Sequence, residues 1–75
     1  MSSHVYIKFR SGTEKRWSFL TAGGGSNYLK IHAARIDTIE KAQTIIGDNA
    51  PDNPEFDWRI INHAGKVLFV RDRVA

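Results

Sequence analysis

Only one stretch of this 75-residue chain carries a helical repeat; most other apolar residues recur with a period of two. Ile39, Ala42, Ile45 and Ile46 lie at i, i+3, i+6 and i+7, one face of a helix over residues 38–46. Two N-caps fit its start: Asp37, with Glu40 three residues on in a capping-box arrangement, or Thr38. Gly47 is placed to end the helix in the left-handed conformation. A helix this short does not hold by itself in water. Its apolar face has to lie on a sheet, and that requirement organises everything else.

The strands for that sheet are legible as alternations. Val5, Ile7 and Phe9 face one way, and Tyr6, Lys8 and Arg10 the other. Ser11-Gly12-Thr13 signals a turn, and residues 14–21 read as a second strand with Trp17 and Phe19 on one face and Arg16 and Ser18 on the other. The run Ala22-Gly23-Gly24-Gly25-Ser26-Asn27 costs too much backbone entropy to lie inside an element and reads as a loop. Residues 28–36 resume an extended pattern with Leu29 and Ile31 inward, although Ala33 and Ala34 also suit a helix. After the helix, residues 48–55 are a loop by composition, with two prolines and two Asp-Asn pairs. Phe56, Trp58 and Ile60 then alternate with Asp57, Arg59 and Ile61. Asn62-His63-Ala64-Gly65 makes a turn with Gly65 left-handed, and Val67 to Val70 form a last strand. Residues 71–75 are expected to fray.

The expected fold is therefore α+β, order β-β-β-α-β-β: one antiparallel sheet of four to five strands with one short helix on one face. Residues 1–75 form a single domain. The expected core is Val5, Ile7, Phe9, Trp17, Phe19, Ile39, Ala42, Ile45, Ile46, Trp58, Ile60, Val67 and Phe69. One helix leaves the other sheet face open, and that face carries Tyr6, Lys8, Arg10, Arg16, Arg59, Ile61, Leu68 and Val70. A domain of this size buries only about 60% of its unfolded surface. Its stability is on the order of 3–5 kcal/mol unless something staples it. A homodimer through Ile61, Leu68 and Val70, or through an edge strand, is one such staple.

Charge is segregated along the chain. Residues 1–35 carry six Lys/Arg against one acid, residues 36–58 six acids against one base, and residues 59–75 four bases against one acid. With the helix and its loop on one side and the strands on the other, this gives an acidic side and a basic side.

Few chemistries survive inspection. With no cysteine, Cys₄ and Cys₂His₂ zinc sites and thiol catalysis are excluded. His4, His32 and His63 are scattered, and HExxH is absent. Asp48, Asp52, Glu55 and Asp57 lack the ligand spacing of a calcium loop, and Pro51 interrupts them. Gly23-Gly24-Gly25-Ser26 is followed neither by the Lys-Ser/Thr of a phosphate loop nor by GxGxxG in a βαβ unit. No cofactor and no catalytic constellation is expected. No apolar run spans a bilayer, and Met1-Ser2-Ser3-His4 does not read as a signal peptide, so the cytoplasm is the expected compartment.

The extended run and short helix of Lys30-Ile31-His32-Ala33-Ala34-Arg35-Ile36-Asp37-Thr38-Ile39-Glu40-Lys41-Ala42 precede a closing hairpin, Phe56-Asp57-Trp58-Arg59-Ile60-Ile61-Asn62 and Gly65-Lys66-Val67-Leu68-Phe69. About half the chain thus resembles, in outline, small hypothetical proteins of bacteriophages and prophages, including some with the size and layout of anti-CRISPR proteins. The resemblance implies a stoichiometric inhibitor or accessory factor that binds a host protein complex, and it carries over no binding residue.

Two binding modes follow. In the first, the acidic helix and loop, Glu40, Asp48, Asp52, Glu55 and Asp57, occupy a basic groove on a host protein. In the second, a nucleic acid lies on the basic and aromatic sheet face through Tyr6, Lys8, Arg10, Arg16, Lys30, Arg35 and Arg59.

Overall fold

The computed structural model describes residues 4–74. The strands are β1 (Val5–Ser11), β2 (Ser18–Leu20), β3 (Ser26–Asn27), β4 (Phe56–Asn62) and β5 (Val67–Arg71), and an α-helix, α1, is Ile39–Asn49. They form one antiparallel sheet in the order β3-β2-β1-β4-β5. The expected α+β architecture and the order of elements along the chain stand. β1 lies at the centre, paired along its whole length with β4 from Val5↔Asn62 to Ser11↔Phe56. α1 packs on these two strands.

Thr38 is the N-cap of α1: its hydroxyl accepts the Lys41 N–H at 3.1 Å. Asp37 instead pairs with Lys41 at 3.4 Å and with His4 at 3.9 Å. Gly47 does not end the helix, which runs on to Asn49 and passes into a 3₁₀ turn at Ala50–Asp52. Ala50 is buried there, so packing on the sheet holds the extra turn that local glycine preference would have cut off.

The expected third strand is corrected. Residues 28–36 are not a strand; β3 is the two residues before them, and Lys30–His32 is a 3₁₀ turn. The Asn27 side chain accepts the Leu29 N–H at 2.8 Å and turns the chain at that point. Leu29 and Ile31, expected inward, are 55% and 84% exposed. The segment rejoins the sheet at isolated bridges, Thr21↔Ala33 and Val5↔Ile36, and Ile36 enters the core.

β2 also sits in the opposite register from expectation. Phe9, which faces the helix, is opposite Ser18, and Lys8, which faces away, is opposite Phe19. A shift of one residue sends every side chain to the other face. Trp17 and Phe19 therefore belong to the open face, and Leu20 packs against the core in their place. The core itself is Val5, Ile7, Ile36, Ala42, Ile46, Ala50, Trp58 and Ile60, flanked by Phe9, Leu20, Ile39, Ile45, Phe56 and Phe69. Val67 leaves the expected core: a bulge at Ile60/Ile61 sets it opposite Ile61, half exposed.

The β4–β5 turn is as the sequence reads, with Gly65 at φ +90° and its N–H bonded to the Asn62 carbonyl at 3.0 Å. The tail does not fray through Val74. The Arg73 N–H donates to Asp57 Oδ1 at 2.8 Å and the Val74 N–H to the Pro54 carbonyl at 3.0 Å. The expectations for Met1 to Ser3 and for Ala75 lie outside the described residues. No helix among the described residues is long and apolar enough to cross a membrane.

Candidate functional site

Because side chains alternate across a strand, the residues of β1 and β4 that do not face α1 form a second row. Tyr6 is opposite Ile61, Lys8 opposite Arg59, and Arg10 opposite Asp57. The middle pair sets two like charges directly across a ladder, which ordinarily destabilises a sheet. Trp17 makes the arrangement tolerable. Its ring lies 5.0 Å from Lys8 Nζ, 4.6 Å from the Arg10 guanidinium carbon and 5.2 Å from that of Arg59. The negative face of an indole attracts such cations by roughly 0.5–1 kcal/mol each near a surface.

The two arginines are further anchored. Arg59 donates to the Trp58 carbonyl at 2.9 Å and pairs with Asp72 at 3.0 Å. Arg10 pairs with Asp57 at 3.7 Å. Lys8 differs: among the described residues no carboxylate lies within 4 Å of its ammonium. Burial, then the Arg59 and Arg10 charges, push the Lys8 pKa below its usual 10.5. The folded sheet thus holds a positive charge where that charge is disfavoured.

Two further groups of cations border the cluster. Toward β3, the Arg16 guanidinium stacks 4.2 Å from the ring of Tyr28, which is 47% exposed. Toward the β4–β5 turn, Lys30 lies 5.1 Å over the ring of Tyr6 and donates to the His63 carbonyl. Lys30 and Arg35 line one pocket with Tyr6 and His63.

The seven residues expected on a basic face are thus brought together in three adjoining groups. Lys8, Arg10 and Arg59 surround Trp17, Arg16 stacks on Tyr28, and Tyr6, Lys30 and Arg35 share the pocket. Tyr6 is corrected in role: at 6% exposure it has no free ring face on which a base could stack. Trp17, Tyr28 and His63 are site residues that the alternation pattern missed. The signal for Trp17 was present in composition, as an indole between two strands that together carry Lys8, Arg10 and Arg59, but the assumed register turned it inward.

The acidic set divides. Glu40 in the first turn of α1, Asp48 in its last turn, Asp52 in the 3₁₀ turn and Glu55 before β4 are all exposed. None of the four forms an ion pair among the described residues. Asp57 is not one of them. It lies buried on the opposite face, where it accepts the Arg73 N–H and pairs with Arg10 and with Arg73, each at 3.7 Å. That backbone hydrogen bond, followed by the Arg73, Arg10 and Arg59 charges, holds its carboxyl below the usual 3.8 despite burial. The reason is the alternation of β4: with Trp58 inward, Asp57 has to face outward among the bases. The apolar surface expected for a dimer is also reduced, because Ile61 is buried while Leu68 and Val70 remain partly exposed.

Among the described residues no group of three or more His, Asp or Glu side chains is arranged to hold a metal ion. Compared with protein-family models, curated proteins and solved structures, the chain matches none.

Proposed function

We propose that the protein is a non-catalytic binding module of the cytoplasm whose open sheet face receives a single-stranded nucleic acid. The observation that carries this reading is the like-charge pair Lys8–Arg59, gathered with Arg10 on one Trp17 ring. Three cations are held close together in the free protein at a cost to its stability, and a phosphate backbone is the partner that offsets their repulsion. Trp17 serves as the platform that orients the cations. Tyr28, with its ring exposed beside Arg16, supplies a surface on which a base stacks. A sheet face with a cationic groove and flanking aromatics binds single strands with little dependence on sequence.

Fluorescence anisotropy with a labelled single-stranded oligonucleotide tests the reading. Tyr28→Ala removes one stacking contact, worth about 1–3 kcal/mol, and weakens binding by roughly 5- to 150-fold. Trp17→Ala releases the cations and weakens binding several-fold. If both variants bind as tightly as the parent, the face is not the interface.

A second reading draws support from the helix layer. Asp48 stands in the last turn of α1, where the helix dipole disfavours an acid and no basic residue accompanies it. With Glu40, Asp52 and Glu55, exposed and without an ion pair among the described residues, it offers acidic side chains to a basic groove on a host protein complex, the role that a resemblance to small phage accessory proteins implies. Reversal of Asp48, Asp52 and Glu55 to lysine weakens capture of such a partner by more than tenfold, about 1.4 kcal/mol. It leaves oligonucleotide binding at least as strong as before.

A further inference from the structure

Where β1 begins, the 3₁₀ turn Lys30–His32 closes a pocket of about 350 Å³ over Tyr6. Its walls are Tyr6, Lys30, Ile31, Ala33, Arg35 and His63. Among the described residues every ionisable group there other than the tyrosine is a base, and no carboxylate lines it. The volume is at the low end of the roughly 300–1,000 Å³ that small-ligand sites occupy.

The donors are arranged and largely uncommitted. Tyr6 is buried, with its hydroxyl 3.3 Å from His63 Nδ1. When that hydroxyl donates, the neutral imidazole carries its own hydrogen on Nε2 and keeps one donor for a ligand. Lys30 is fixed by the Tyr6 ring below it and by the His63 carbonyl, which occupies one of its three N–H groups. Arg35 is exposed, and among the described residues no carboxylate lies within 4 Å of it. Its planar fork suits two oxygens of one phosphate. Ile31 and Ala33 add an apolar wall that fits a sugar edge.

The geometry points to a phosphomonoester site that takes the terminal phosphate of a nucleic-acid strand. A terminal phosphate carries close to two charges near neutral pH, against one for an internal phosphodiester, and so gains more from two cations in one pocket. The source of the phosphate as a strand end rests on the reading of the open face. Tyr6 is two residues from Lys8 on the same side of β1, about 7 Å along the strand, so pocket and cationic cluster are neighbours on one sheet face.

The test uses the whole chain and one internally labelled 12-nucleotide strand prepared with a 5′-phosphate, with a 3′-phosphate, or with hydroxyls at both ends. One phosphorylated form binds at least tenfold more tightly than the hydroxyl form. Arg35→Gln abolishes that preference, so that phosphorylated and hydroxyl strands bind alike whatever the common loss of affinity, and Lys30→Gln does the same. Arg35 is exposed and unpaired, so its variant folds even if loss of the Lys30–Tyr6 stack unsettles the turn. Equal affinity for all three strands overturns the proposal. If no strand binds, adenosine 5′-monophosphate and inorganic phosphate are titrated while the Arg35 and His63 amide resonances are followed. Saturable shifts that Arg35→Gln removes keep a phosphomonoester pocket and discard the strand-binding face. Absence of shifts overturns the pocket as well.

Discussion

Asp57→Asn separates stability from binding, because the two respond with opposite sign. The carboxylate accepts the Arg73 N–H at 2.8 Å and faces two guanidiniums at 3.7 Å. A hydrogen bond to a charged group contributes about 1.5–3 kcal/mol. The arginines are partly solvated, with side chains 34% and 45% exposed, which discounts the ion pairs to a few tenths each. An asparagine keeps one acceptor oxygen, so the expected loss is about 1–2 kcal/mol. For a domain of this size that is roughly 4–16 °C in Tm. The same substitution removes a buried acid from the basic face and frees Arg10 for phosphate. Oligonucleotide affinity therefore rises, and the dependence of log K on log salt steepens by about 0.7, one more phosphate on a single strand. Thermal melts and anisotropy titrations at several salt concentrations read both effects on one preparation. Acid titration adds a third. The folded carboxyl is held below its unfolded value of 3.8, so its contribution is complete above that value and is lost as pH falls through the lower folded value. The variant lacks that part of the acid transition. An unchanged Tm, or weaker oligonucleotide binding, would refute the assignment of Asp57 as an internal anchor of the basic face.

Other substitutions test neighbouring parts of the account. Lys8→Met relieves the cross-strand repulsion with Arg59 and stabilises the free protein by about 0.2–1 kcal/mol while weakening oligonucleotide binding. Since burial and neighbouring cations lower the Lys8 pKa, the parent gains stability as pH rises through that lowered value toward 10.5, and the variant does not, which alkaline denaturation series would register. Gly47 lies within α1 with open space around it, so Gly47→Ala adds about 0.5–1 kcal/mol; Gly65, at φ +90°, loses about 1–2 kcal/mol on the same change, both read by urea denaturation. Ile46 is 1% exposed where α1 meets the sheet, and Ile46→Ala costs about 2–5 kcal/mol, enough to leave much of so small a domain unfolded by circular dichroism at room temperature.

Much of the fold is written in local pattern. The alternation in β1 and β4, the helical face of Ile39, Ala42 and Ile46, and the left-handed Gly65 each follow from a physical rule that needs no partner. What the pattern does not contain is register. Trp17 and Phe19 alternate as cleanly outward as inward, and only the pairing Lys8↔Phe19 decides between them. That one shift hides the centre of the site, because Trp17 read as core cannot be read as the platform for three cations. The place of Asp57 is hidden for a related reason. Its neighbours in sequence are acidic, whereas its neighbours in space, Arg10 and Arg73, come from the two ends of the chain. Leu29 and Ile31 fail differently. Their hydrophobicity predicts burial, but the turn begun by Asn27 leaves both exposed, Ile31 at the rim of the pocket.

The salt dependence of single-strand binding tests the central claim most directly. With Lys8 and Arg59 each engaging one phosphate and Arg10 held by Asp57, log K falls against log salt with a slope of about −1.4, and Lys8→Met reduces that slope by about 0.7. No binding at low salt, or a slope that Lys8→Met leaves unchanged, would contradict the assignment of the open sheet face as the binding surface.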